Sequence, residues 1–271
     1  MTTTSKPVMV ETTIEVPTTV MVAQTTLGLP VNPANALSRG LVSMLALSEG
    51  IGNSFLDSVT GKSYKAVPLA FTQAGSFAPK WFVPPTTPDY NWPNSCAISN
   101  LGGAALAIQG DASTANLIPP NTTGYSYAVL LQPLDTTTFG RIFDGTGMAV
   151  LTTYINMLGN PGTISTTWRD GNGKNRNPLY KFKVGQWLLI LCTVQQGLGV
   201  MYVNGVEVAR DTTVDIARSA ANQAGQLVYN SSGKGQNTPN ANFSSFWIWQ
   251  GRVLTAAEAW AHYQSPWQMV V

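Results

Sequence analysis

The feature that most constrains this chain is an almost continuously apolar run, followed by closely spaced turn signals. Trp187, Leu188, Leu189, Ile190, Leu191 and Val194 form the run. A strand of this kind has both faces covered, as does an interior strand of a two-layer β sandwich. A buried helix also gives such a run, but Gly197, Gly199 and Gly205 follow too closely for that. The turn is placed at Gln195-Gln196-Gly197-Leu198-Gly199. Val200, Tyr202, Val206 and Val208 form a second run, with Asn204-Gly205 inside it. Asn-Gly supplies positive φ at low steric cost, so residues 184–209 are expected to form a β-hairpin.

Short runs separated by turn residues recur along the chain, at 41–47, 104–108, 125–132, 140–143, 147–155, 163–168, 222–228 and 243–249. Tyr125, Tyr127, Val129 and Leu131 alternate cleanly. This spacing predicts an all-β sandwich. Residues 50–65 are turn-rich, and DGNGKNRN at 170–177 is a polar loop. Residues 66–103 hold Pro79, Pro84, Pro85, Pro88 and Pro93 among Trp81, Phe82, Tyr90 and Trp92. Proline cannot donate to a ladder, so this stretch is not a central strand. Its aromatics pack it against the sandwich or serve a function or an interface. Thr255 followed by Glu258 is a capping box and opens a helix over 255–263.

Residues 1–33 differ from the rest. Val8, Val10, Ile14 and Val16 alternate, Pro17 interrupts, and Val20 and Val22 resume the period. The pattern predicts two short strands and a connector, an arm preceding a domain at 34–271. The arm either packs on its own sandwich or adds strands to a neighbouring subunit. Only 10% of the chain is charged, against about 25% in an average protein. Low charge suits a packed assembly, and it equally suits a Thr-rich β protein. A net charge of +2 offers no basic field for a nucleic acid. Cys192 falls in the buried run and reads as a small apolar residue, and nothing positions Cys96 against it. The first residues lack a basic start followed by an apolar core, and no stretch suits a bilayer span. No secretion signal and no membrane insertion are therefore expected, and the protein is expected in the cytoplasm with reduced thiols.

The pattern Gly185-x-Trp187 followed by Tyr202-Val203-Asn204-Gly205-x-Glu207-Val208-Ala209 resembles the signature hairpin of laminin-G-like, concanavalin A-like jelly rolls. Leu37-Ser38-Arg39-Gly40-Leu41-Val42 with Ser48-Glu49-Gly50 resembles the opening of such domains in tailed-phage structural proteins. Gly251-Arg252-Val253-Leu254-Thr255-Ala256-Ala257-Glu258 and Ser265-Pro266-Trp267-Gln268 resemble their closing strand and helix. The resemblance spans residues 34–271. It implies a concanavalin A-like jelly roll: two antiparallel sheets, a short C-terminal helix and, here, an extended N-terminal β arm.

The family includes glucan hydrolases, which need two carboxylates about 5–10 Å apart. The Glu-x-Asp-x-x-Glu pattern of those relatives is absent, so no enzyme is expected. The single histidine, His262, falls near the end of the helix and reads as packing or as a partner of the helix dipole. Zinc is not expected from one histidine without a Cys pair. Relatives often bind calcium, and the resemblance makes Asp111 and Asp144 candidate ligands; each also reads as an Asp closing its own turn. Trp168, Arg169 and Asp170 are a candidate sugar site, or else a strand-end aromatic before a solvated loop. Trp81, Tyr90 and Trp92 are further stacking candidates that equally cover the sandwich. The leading functional expectation, from the resemblance, is a capsid decoration or cementing protein on the exterior of a phage head. It would be assembled in the bacterial cytoplasm, with its arm paired to the major capsid protein or a sister subunit. The alternative is a carbohydrate-binding module of a virion, on tail, fibre or head, that recognises host surface polysaccharide. A cellular laminin-G-like adhesion domain is disfavoured by the missing signal peptide and disulfide.

Overall fold

The apolar run becomes β13 (Leu188–Gln195), an interior strand between β7 (Gly124–Pro133) and β14 (Leu198–Val203). The computed structural model describes residues 30–47, 54–68, 80–82, 97–99, 106–110, 123–144, 152–156, 159–216, 226–227 and 239–270. Side chains alternate across β13. Leu188, Ile190, Cys192 and Val194 enter the core between the sheets, while Leu189 and Leu191 pack under a second apolar layer. Burial on both faces is the physical reason the run is almost continuously apolar, and its one hydroxyl, Thr193, is buried and bonded to Ser126 Oγ at 2.9 Å.

The first sheet runs β15 (Val206–Asp211), β14, β13, β7, β17 (Ala241–Gln250), β5 (Ala97–Ser99) and β4 (Lys80–Phe82), and β1 (Leu41–Leu45) also pairs with β17. The second runs β11 (Asn175–Arg176), β10 (Thr163–Arg169), β9 (Thr152–Ile155), β8 (Gly140–Asp144), β16 (Gln226–Leu227), β6 (Leu106–Gly110), β3 (Ser63–Pro68) and β2 (Ser54–Leu56). In it β12 (Leu179–Lys181) lies beside β11 on the same edge of β10. The pairings within both sheets are antiparallel. The expected two-sheet antiparallel jelly roll is the architecture found.

Two expectations need correction. Asn204-Gly205 does not lie inside a strand. It is the loop between β14 and β15, so the expected hairpin is a three-stranded meander. Asn204 and Gly205 take φ of 51° and 76°, which a tight hairpin loop demands. The turn-rich stretch at 50–65 contains a hairpin, β2 and β3, and β3 extends to Pro68 into the stretch read as irregular. Short β4 and β5 lie at the far edge of the first sheet, where proline-rich flanks are tolerated.

In β17, Phe243, Phe246 and Ile248 face the core although 243 and 246 differ in parity. A register shift between Phe243 and Ser245 supplies the extra residue. Trp247 and Trp249 then face outward, into the layer formed by α1 (Ala256–Gln264), Trp267 and Met269. The predicted capping box is present, with Thr255 as N-cap and Glu258 reaching back. Helix residues Ala259 and His262 are buried against the sheet.

The sequence pieces at the domain's two ends meet in space. The Arg252 guanidinium donates to the carbonyls of Ala36 and Arg39 at 2.8 and 2.6 Å and pairs with the Glu258 carboxylate. Trp249 Nε1 donates to the Leu37 carbonyl at 2.7 Å, and Asn35 Nδ2 donates to the Gln268 carbonyl at 3.0 Å. Val31 bridges Val270, so the last residues of the predicted arm and connector join the C-terminal tail. The arm positions Val8, Val10, Ile14, Val16, Val20 and Val22 lie outside the described residues.

Candidate functional site

The two sheets differ in what covers their outer faces. The first is roofed by α1, Trp187, Trp267 and Met269. The second presents polar and half-buried aromatic side chains, and strand parity fixes which ones. Ile164, Thr166 and Trp168 of β10 point into the core, so Thr167 and Arg169 point out. Beyond β10, Tyr180 and Phe182 pack on the core, so Leu179, Lys181 and Lys183 point out.

These outward side chains hold one another in place. Arg169 Nε donates to Asn175 Oδ1 at 3.2 Å, and Thr167 Oγ1 donates to Asn177 Oδ1 at 2.7 Å. Further in, Tyr154 stands directly opposite Arg141 on one side and Ser165 on the other. The Arg141 guanidinium carbon lies 5.6 Å from the Tyr154 ring centre, and Phe139 stacks on Tyr154 at 5.6 Å and 17°. Leu179, cross-strand from Ser165, is 46% exposed. The surface therefore offers amides, a hydroxyl, cationic heads, aromatic edges and one apolar contact within four adjacent strands. That mixture suits a ligand with hydroxyls on its edges and C–H groups on its faces.

Of the residues singled out from sequence, Arg169 lies on this surface. Trp168 does not: it is 1% exposed, its ring fills the core beside Gly199, and no face is open to a sugar. A Cβ on Gly199 would sit 2.9 Å from that indole, so the absent side chain makes the space. Asp170 is buried and closes the β10–β11 turn. It accepts from the amides of Asn172 and Lys174 at 3.0 and 2.9 Å and from Arg176 at 3.2 Å. The Lys174 amide, then that of Asn172 and the Arg176 guanidinium, hold its carboxyl below the ordinary range. With these donors engaged, Asp170 is a structural residue rather than a ligand contact. Trp81 belongs to β4 of the other sheet, away from Arg169. Asp144 ends β8, paired with Thr152 and Gln226. Asp111, Tyr90 and Trp92 lie outside the described residues. Among the described residues no group of three or more His, Cys, Asp or Glu side chains is placed to hold a metal ion.

The sequence reading passes over one carboxylate pair. Glu207 and Asp211 lie four residues apart on β15, the spacing that ordinarily shares a strand face. A register shift between Met201 and Tyr202 breaks that parity. Glu207 stands opposite Tyr202 of the outer layer, and Asp211 opposite Gly199 on the core side. Arg210 grips Glu207 in a fork at 2.8 and 2.6 Å, and Asp211 accepts from Thr213 at 2.7 Å. Neither is placed to work with the other as acid and base. Missed from sequence were Tyr154, Arg141, Phe139, Asn175, Asn177, Leu179 and Lys181. The alternation Leu179, Tyr180, Lys181, Phe182, Lys183 was the available signal for the last strand.

Comparison with known proteins agrees with this architecture. Residues 102–259, more than half of the chain, match the model of the concanavalin A-like lectin/glucanases superfamily. No curated protein matches at significance. Domain 4 of an extracellular arabinanase from Geobacillus stearothermophilus, solved with arabinotriose, superimposes with a TM-score of 0.57 at 16% identity, covering 83% of this chain and 98% of that one. A botulinum neurotoxin type C structure, described as entering cells through two ganglioside molecules, gives 0.52 at 9% identity over 86% of this chain and 52% of that one. Trypanosoma rangeli sialidase gives 0.53 at 14% identity over 90% of this chain and 37% of that one. The chain thus spans about half the length of the neurotoxin structure and about a third of the sialidase. At these identities the likeness is one of fold. With the family match over residues 102–259 and the two-sheet jelly roll, the chain belongs to the concanavalin A-like lectin/glucanases superfamily.

Proposed function

We propose that this chain is a non-enzymatic carbohydrate-binding domain that holds a glycan on the outer face of its second sheet, across β9 to β12. The observation that carries the reading is the mutually fixed outward row of Thr167, Arg169, Asn175 and Asn177 beside the Arg141–Tyr154–Phe139 stack. Side chains already held in place lose little freedom on binding, which favours affinity for a hydroxyl-rich ligand. The arabinanase domain supports it, because there a whole chain of this fold was solved with a bound oligosaccharide. The parting of Glu207 from Asp211 and the absent Glu-x-Asp-x-x-Glu pattern support binding rather than hydrolysis.

The capsid-decoration reading takes second place. It rests on the form of the domain's two ends and on an arm whose residues 1–29 lie outside those described. Neither the superfamily nor the three likenesses supports a capsid partner. Of the two readings, they favour the carbohydrate-binding alternative.

The test is isothermal titration of the chain and of an Asn175→Ala, Asn177→Ala double variant with a panel of neutral and acidic oligosaccharides. Binding by the parent and a loss of about tenfold or more in the variant, with an unchanged melting temperature, is expected. Equal affinity of the two proteins would move the site elsewhere. Heat-silent titrations across the whole panel would sink the reading.

A further inference from the structure

The charge on this surface is not evenly spread. Between residues 169 and 183 the chain carries Arg169, Lys174, Arg176, Lys181 and Lys183 against the single acid Asp170, a local balance of +4 in a chain whose net charge is +2. The remainder of the molecule is therefore net negative. All five cations are exposed. Among the described residues only Arg176 is engaged in an ion pair, with the buried Asp170. Arg169 is hydrogen-bonded to the neutral Asn175. Among the described residues, Asp215, whose amide donates to the Arg169 carbonyl at 2.9 Å, lies at the Arg169 end, and Asp135, whose carboxylate accepts from Asn156 next to Thr163, lies at the Lys181 end.

The fold sets these heads in a line. Thr163 pairs with Lys181 and Arg169 with Asn175, six residues apart along β10. At the rise of a β-strand that is a separation of about 20 Å. It is roughly twice the distance over which salt screens exposed charges, so a small anion feels one end only. A chain with repeated negative charges can reach the whole line. Leu179, Asn175 and Asn177 lie between the cations and offer an apolar contact and amides to a sugar backbone. A purely ionic strip would not need them.

We propose that the glycan held by the second sheet is an acidic polysaccharide, bearing carboxylates or sulfates, whose charges lie along the β11–β12 edge on Arg169, Lys174, Lys181 and Lys183. This inference rests on the carbohydrate-binding reading. Arginine forks and lysine ammonium groups both suit carboxylate and sulfate oxygens, and their spacing sets the minimum ligand length.

Affinity is measured for hyaluronan, oligogalacturonate and polysialic acid, for neutral arabinotriose, and for inorganic polyphosphate. Each is titrated into the parent chain, the Lys181→Glu, Lys183→Glu variant and, independently, Lys174→Glu. The expected result is tighter binding of at least one acidic saccharide than of arabinotriose. That binding weakens by about tenfold between about 0.05 and about 0.3 M salt, and by a similar factor on either charge reversal. Arabinotriose binding at least as tight as every acidic saccharide would overturn the inference while leaving the carbohydrate reading intact. So would acidic binding that ignores the reversals. Polyphosphate bound as tightly as the acidic saccharides would make the strip a general anion surface and also overturn it. No binding of any saccharide would remove both readings together.

Discussion

His262 is fully buried, with its ring edge-on to Trp247 at 4.6 Å and Trp249 at 5.5 Å and, among the described residues, no hydrogen-bond partner for either nitrogen. Burial holds the imidazole neutral and lowers its pKa from 6.5 to about 3. The unfolded chain therefore takes up this proton before the folded one does. The contribution to stability is complete above pH 6.5 and falls between 6.5 and about 3, by about 1.4 kcal/mol per pH unit. Urea unfolding followed from pH 7 to pH 4 should show this slope, and His262→Leu should flatten it. An unchanged slope in the variant would refute the assignment. Asp135 acts in a different window. It accepts from the side chains of Thr138, Asn156 and Asn240 and from the Thr137 and Thr138 amides. Although part burial opposes it, these bonds lower its pKa from 3.8 to about 2, so its contribution is lost only below the ordinary carboxylate range. The sequence placed His262 on the helix and left packing and a dipole contact both open. The pattern Ala259, His262 at helical spacing, beneath an aromatic strand, decides for packing. Cys192 was legible as a small apolar residue because it sits within the nearly continuous apolar run, and burial raises its thiol pKa to about 11.

At the scale of elements, the meander and the helix depend on each other. A Cβ on Gly205 would lie 2.9 Å from the Trp260 ring and 3.0 Å from Tyr263 Cβ, with φ already at +76°. Gly205→Ala should therefore cost about 1–3 kcal/mol, seen as a lower melting temperature. Thr255→Ala removes the cap that accepts from the Glu258 amide and should cost about 1 kcal/mol. If both substitutions were neutral, α1 would not be docked as described. The strands were largely legible where burial is extreme. A nearly continuous apolar run means two covered faces, and Tyr125, Tyr127, Val129 and Leu131 all enter the core as their alternation implies. Boundaries failed where the period survives a turn. Val200, Tyr202, Val206 and Val208 keep an even spacing across Asn204-Gly205, so two strands look like one. For Trp168 the sequence left a sugar contact and a strand-end aromatic both open, and parity decides for the second. Counted from Ile164, it falls on the core face.

For the whole molecule, the asymmetry of the two sheets matters most. Helix α1 and the C-terminal tail roof one outer face and, with Arg252 and Asn35, tie the ends of the domain together. The other outer face carries the held polar row and the cationic edge. The site was only partly legible because it is assembled by pairing β9, β10, β11 and β12, and no local motif marks it. The most direct test of this account is amide chemical-shift mapping of the isotopically labelled chain, titrated with oligogalacturonate and, separately, arabinotriose. The account predicts shifts concentrated at Tyr154, Thr167, Arg169, Asn175, Asn177 and Lys181, with α1 and the roofed face unmoved. Shifts confined to α1 and its neighbours, or none with either saccharide, would contradict it.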